Sequence, residues 1–186
     1  VATPEVLLYF MDYLTDNYSG DPDIQSLVDG REIWLILLCN PDGYYYNELT
    51  APTGGGMWRM NRRNNGNGTY GVDLHRNFGY QWGYDNAGSS PVPGSDTYRG
   101  SGPFSEPETQ ALRDFVLAHE FVLTIHYHSY SNIFLFPWGY VQENCPDDFL
   151  FRAMGDSINA MNGYVPGLVG ELLYQVNGGV FDWEYG

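Results

Sequence analysis

Apolar residues recur at helical spacing near the start of the chain, where Val6, Leu7, Phe10, Met11 and Leu14 follow Thr3-Pro4-Glu5. A capping hydroxyl, a proline that needs no N–H and an early acid are helix-start residues. The pattern therefore predicts a helix to about Tyr18, a turn at Gly20 and Pro22, and a short helical piece over residues 24–28. Glu32-Ile-Trp-Leu-Ile-Leu-Leu38 has no polar alternation, the mark of a strand buried on both faces of a parallel or mixed sheet. It runs into Asn40-Pro41-Asp42-Gly43, a turn by composition.

Residues 44–102 are dominated by Gly, Asn, Ser and Tyr, and an irregular stretch of that length inside a domain is usually functional. Ser105-Glu-Pro-Glu108 reads as a capping box opening a helix through His119. A second buried strand is predicted over 121–127, a third over 133–136, and an amphipathic helix over 147–161. The last residues, Asn177-Gly-Gly179 and a Phe-Asp-Trp-Glu-Tyr tail, predict no terminating helix or strand. Strands alternating with helices imply a layered α/β fold, and no repeat, linker or second domain is evident.

Composition narrows the function. An apolar fraction of 43% suits a globular domain of 186 residues, and no run approaches the roughly 18 apolar residues of a membrane span. Val1 opens directly into helix-like sequence, so no signal or transit segment is read within the chain. The formal charge is −15, with eight arginines and no lysine, which argues against nucleic-acid and anionic-membrane partners. Arg59, Arg62, Arg63 and Arg76 crowd one Gly- and Asn-rich region, and guanidinium matches a carboxylate in a two-point fork, so the cluster suggests an anion site. Cys39 and Cys145 make no disulfide framework and can pair or remain thiols.

His126 and His128 stand two apart at the end of a predicted strand and would share a face. That spacing suits a metal or acid–base role, and equally a hydrogen-bonded core pair. The chain has no HExxH and no CxxC.

Taken in order, several segments form one signature: Asn40-Pro-Asp-Gly-Tyr44, Met57-Trp58-Arg59, Gly71-Val-Asp73-Leu-His75-Arg76-Asn77-Phe78 and Ser95-Asp-Thr97-Tyr98-Arg99-Gly100. Ser105-Glu-Pro-Glu108, His128-Ser129-Tyr130-Ser131, Pro137-Trp138-Gly139-Tyr140, Tyr174-Gln175, Gly178-Gly179 and Asp182-Trp183 continue it. From first residue to last this resembles the carboxypeptidase A family of metallocarboxypeptidases (funnelins). The resemblance implies a mixed, mostly parallel twisted sheet flanked by helices. It also implies a zinc exopeptidase that removes single residues from a peptide C-terminus.

By that resemblance His128 is a zinc ligand, and Ser129 and Tyr130 line adjoining subsites. Arg59 stabilises the oxyanion, a fixed charge aimed at charge that develops in the transition state. Arg76 takes the substrate's terminal carboxylate, and Tyr174 closes over the same end. His75 stands where the family usually has asparagine; it can donate the same hydrogen bond, more strongly when protonated. Phe181 falls at the floor of the side-chain pocket, with Val169, Leu173, Val176 and Leu135 as walls. This predicts a preference for apolar or aromatic C-terminal residues.

The family's other two zinc ligands come from a His-x-x-Glu motif, and its general base is a glutamate on a later strand. Neither is in these residues: no histidine is followed three positions later by an acid. One zinc ion with one of three expected protein ligands is therefore anticipated here. The whole of 1–186 reads as part of a single catalytic domain lacking its N-terminal part and C-terminal end, inactive alone. Expected partners are peptide or protein C-termini, with a monomeric, extracellular protein implied by the family. Two other functions fit: a non-catalytic peptide-carboxylate binding module, and a zinc amidohydrolase of the same fold, whose polar substrates suit the apolar pocket poorly.

Overall fold

A computed structural model describes residues 2–186. Their contacts form two compact units. One comprises the N-terminal stretch through Cys39 with Tyr127–Ser129, the other Asn40–His126 with Tyr130–Gly186.

In the smaller unit, helix α1 spans Ala2–Asn17 and α2 spans Pro22–Asp29. Thr3 lies inside the first turn of α1 rather than capping it; Pro4 is tolerated beside it because first-turn N–H groups have no intrahelical acceptor. The Asp21 carboxylate caps α2, accepting from Asp23 N at 2.9 Å and Ile24 N at 3.3 Å. Leu14 is the buried residue of α1, and α1 contacts α2. Residues 32–38 are not a β-strand, contrary to expectation: Trp34 is 51% exposed, and Ile33, Ile36 and Leu38 are exposed as well. An apolar run becomes a two-faced buried strand only when ladders and layers cover it, and no ladder among the described residues includes it.

The larger unit starts with a second correction. The Asn40-Pro-Asp-Gly segment is the start of helix α3, Pro41–Thr50. The Asn40 side chain accepts from Gly43 N at 3.0 Å, Pro41 fills the first turn and Asp42 faces the helix dipole. Turn formers and helix starters are the same residue types, so composition alone does not separate them. Beyond α3 the chain is irregular to residue 106, apart from a 3-10 turn at Leu74–Arg76.

Asparagine amides hold that stretch together. Asn77 is fully buried; its Nδ2 donates to Arg99 O at 2.8 Å, Gly102 O at 3.0 Å and Ser105 Oγ at 3.0 Å, while its Oδ1 accepts from Thr109 Oγ1 at 2.7 Å. Asn61 Nδ2 donates to Glu106 Oε2 at 2.9 Å, and its Oδ1 accepts from Val72 N at 2.9 Å. Glu106 is buried and pairs with Arg63. Helix α4, Pro107–Leu117, follows without the expected capping box. Ser105 Oγ instead donates to Glu106 Oε1 at 2.6 Å, and Glu108 accepts from Asn61 at 3.3 Å, so both would-be capping groups serve the loop.

The predicted strand over 121–127 does not form either, and Val122 (102%) and Ile125 (58%) are open to solvent. Strand β1, Ile133–Phe136, and helix α5, Asp148–Asn162, match the sequence pattern closely. Strand β2, Val165–Leu168, was not foreseen because Pro166 and Gly167 are poor strand residues; it pairs parallel with β1, Leu135 opposite Gly167. Helix α5 crosses over between them, its Gly155 close against Phe134 and Pro166. Helix α6, Val169–Leu172, follows directly. The terminal segment, expected to be irregular, is helix α7, Val180–Tyr185; Trp183 packs on Phe78 and Phe104, and Tyr185 on Trp138 and Phe151. The α/β character with a parallel pairing agrees with expectation, although only two strands are present among the described residues.

Gly178 joins the last segment to the irregular stretch. Its φ is +68°, its carbonyl accepts from Phe78 N at 3.0 Å, and a Cβ there would sit 2.5 Å from Arg76 O. Gly178→Ala should lower unfolding free energy by on the order of 3 kcal/mol through strain and overlap. Urea titration checks this, and a loss below about 1 kcal/mol contradicts the close approach.

Candidate active site

Two asparagines two turns apart on α3 fix the backbone that carries Arg59. Asn40 Nδ2 donates to Arg59 O and Met60 O, both at 3.1 Å. Asn47 exchanges two bonds with Trp58, Nδ2 to O at 2.7 Å and N to Oδ1 at 2.9 Å. Asn40 was read from the sequence as part of a turn and Asn47 was not singled out; their i, i+7 spacing was the available signal.

Of the four clustered arginines, only Arg59 and Arg76 converge. Arg62 is enclosed by Tyr46, Trp58 and Tyr70, 3.8 to 4.9 Å from their ring centres, and Arg63 is committed to Glu106. Asp73, buried at the start of the 3-10 turn, stands between the other two: its Oδ2 is 3.8 Å from Arg59 Nη2 and 3.7 Å from Arg76 Nη1. Its Oδ1 accepts from His75 N at 3.0 Å. Arg76 is 2% exposed, with Nε donating to Gly88 O at 2.7 Å and Nη1 to His75 O at 3.2 Å.

Tyr174 completes the group. Its ring centre lies 5.8 Å from Arg76 Cζ, and its side chain is near enough to Arg59 to favour that charge. Partial burial works against the Arg59 charge, but Asp73 and then Tyr174 outweigh it and hold that guanidinium above its ordinary value. Tyr174 is itself half exposed, so it sits at the solvent side of the pair.

The predicted pocket residues are partly assembled. The His75 and Phe181 rings lie 5.2 Å apart. Val169 and Val176 are buried, Leu173 is exposed, and Leu135 is half-buried on β1. Phe181 packs so closely on Gly139 and Gly179 that a Cβ on either would lie 2.6 and 3.1 Å from its ring. Tyr130 is 91% exposed. His128 and Ser129 belong to the smaller unit. His126, expected on a strand face, is instead tied to α7: its Nε2 is 2.7 Å from Glu184 Oε2, which also accepts from Thr124 Oγ1 at 2.6 Å.

The whole of residues 1–186 matches the family described as zinc carboxypeptidase. This chain belongs to that family. It is 35% identical to carboxypeptidase A2 of Rattus norvegicus over 193 aligned residues, covering 99% of this chain and 45% of that protein. It is 34% identical to a metallocarboxypeptidase A-like protein of Trichophyton verrucosum, over 85% of this chain and 39% of that one. Among solved structures, thrombin-activatable fibrinolysis inhibitor superposes with a TM-score of 0.85 at 30% identity, covering 98% of this chain and 47% of that one. Carboxypeptidase A from Helicoverpa armigera gives 0.85 at 28% identity, covering 98% and 45%. The chain thus spans less than half the length of these relatives.

Membership implies zinc. A catalytic zinc takes three protein ligands and an open position, and among the described residues no three of His, Cys, Asp or Glu are grouped to hold a metal ion. His128 does not make such a site by itself, so no chemical step can be derived through the metal from these residues. No described helix is long and apolar enough to cross a membrane.

Beside Phe181, Asp182 anchors the pocket wall. Its fully buried carboxyl accepts from Gly139 N at 2.9 and 3.1 Å and Tyr140 N at 3.1 Å. Burial pushes it up to about 6, from 3.8, against the pull of those N–H groups. Because the folded value lies above the unfolded one, the stability this group contributes is present below about pH 3.8 and is lost as pH rises towards 6. The wild-type stability relative to Asp182→Asn should therefore fall across that window, by on the order of 3 kcal/mol. Denaturant midpoints at several pH values measure it, and a difference independent of pH contradicts the assignment.

Proposed function

We propose that the protein carrying this chain is a zinc-dependent exopeptidase that hydrolyses the C-terminal peptide bond of peptides and proteins, preferring apolar or aromatic C-terminal residues. The reading rests foremost on one carboxylate, Asp73, holding two guanidinium groups within 4 Å while Tyr174 stands beside both. A peptide C-terminus and the oxyanion of its scissile bond are two anionic sites one residue apart, and two adjacent cationic forks suit them.

In this reading Arg76, His75 and Tyr174 hold the terminal carboxylate and Arg59 stabilises the oxyanion. Arg76 Nε and Nη1 are spent on the protein, and among the described residues Nη2 makes no hydrogen bond. Ser129 and Tyr130 line neighbouring subsites. His128 is one zinc ligand, with the remaining ligands and the general base contributed from outside these 186 residues. Phe181, Val169, Val176, Leu173 and Leu135 form the side-chain pocket; the acid next in sequence to Phe181, Asp182, points its oxygens at backbone N–H groups instead. The chain is then one part of a single catalytic domain, in a monomeric, extracellular protein.

A non-catalytic carboxylate-binding module is the second reading, favoured by the lack of a three-ligand metal group among the described residues. The full-length protein decides between them. It should release C-terminal phenylalanine or leucine from blocked dipeptides faster than lysine or aspartate, and a chelator should stop it. Binding without release supports the module, and full activity after metal removal refutes the enzyme reading. Arg59→Ala should lower kcat about 100-fold or more. Arg76→Lys, which keeps the charge and loses the fork, should act mainly by raising KM.

A further inference from the structure

We propose that Asn177 and Asp85 are positioning residues for Arg76, joining the loop that supports its guanidinium to the segment that carries Tyr174; the proposal rests on the carboxylate-binding reading above. Arg76 Nε has one backbone acceptor, Gly88 O at 2.7 Å. Gly88 is held in turn by Asp85, whose Oδ1 accepts from Gly88 N at 2.8 Å and Ala87 N at 3.0 Å. The same oxygen accepts from Asn177 Nδ2 at 2.7 Å.

Asn177 is fully buried, and its other end is occupied too, because Ser89 Oγ donates to Asn177 Oδ1. Arg99 Nη1 closes the network by donating to Ser89 Oγ at 3.1 Å and Asp85 O at 3.0 Å. The join is tight: a Cβ on Gly88 would lie 2.7 Å from Asn177 Nδ2. Asn177 lies three residues after Tyr174, and Gly178 follows it against Arg76 O. One amide thus sets where the Gly88 carbonyl stands under Arg76 and where the Tyr174 segment ends. Moving it rotates the guanidinium that grips a carboxylate without touching the ligand itself.

Asn177→Asp tests this with no change of size, since it replaces the Nδ2 donor by an acceptor facing Asp85. The probes are 3-phenylpropionate and its amide, which share the apolar end and differ only in the anion, titrated calorimetrically into the full-length protein. The variant should weaken carboxylate binding about tenfold or more and leave the amide within about twofold, as expected for a misplaced binding group. In peptide hydrolysis the loss should appear in KM more than in kcat. Should Asn177→Asp not fold, Asn177→Ser, which keeps a small polar group and cannot reach Asp85, takes its place with the same expectations. Unchanged carboxylate affinity in a folded variant, or equal loss for acid and amide, overturns the positioning role. A wild-type protein that binds acid and amide equally overturns the carboxylate reading instead.

Discussion

The Arg76 side chain is 2% exposed, and an unmatched guanidinium in that position would cost several kcal/mol. The surrounding structure supplies the match: a carboxylate from Asp73, and carbonyls from Gly88 and His75. Asp73 is buried as well, so it needs its own partners and finds them in Arg59 and the His75 N–H. The 3-10 turn at Leu74–Arg76 brings the acid and the base into reach three residues apart. Arg59 in turn meets that acid from a segment whose backbone is held by bonds from Asn40 and Asn47.

The support is built from amides where a sheet would be expected. Between α3 and α4 there is no β-ladder beyond isolated bridges, so backbone groups in that stretch must find other partners. Asn40, Asn47, Asn61, Asn77 and Asn177 provide them, each offering donors and an acceptor on one short, rigid side chain. An acid in any of these places would leave an acceptor facing another acceptor, a backbone carbonyl at Asn40, Asn47 and Asn77 and a carboxylate at Asn61 and Asn177. Irregular backbone can then present side chains from several loops at one point without being loose.

The sequence disclosed the helices whose apolar periodicity is long, α1 and α5, and the strand with an unbroken aromatic-aliphatic run, β1. It misread α3 and α7 because Asn-Pro-Asp-Gly and Gly-Gly segments serve turns and helix starts alike. It overread residues 32–38 and 121–127, since hydrophobicity reports what a strand would bury and not whether a neighbour pairs with it. At the site, Arg59, His75, Arg76, Tyr174 and Phe181 were legible through the order of motifs, and the structure brings these five into one region of the larger unit. Asp73, Asp85 and Asn177 were not, because their importance lies in which backbone atoms they touch, and those are set by the fold.

The pairing of Asn177 with Gly178 has a chemical side. In an open chain, an asparagine followed by glycine loses its amide readily, because the next backbone nitrogen reaches the side-chain carbonyl with no Cβ in the way. Here glycine is required by a φ of +68°, and the amide is fixed at both ends and out of water. The join is therefore durable only while it is made. Each interval spent unfolded exposes this dipeptide to deamidation, and a chain that returns with aspartate at that position has aged at the support of its own binding arginine.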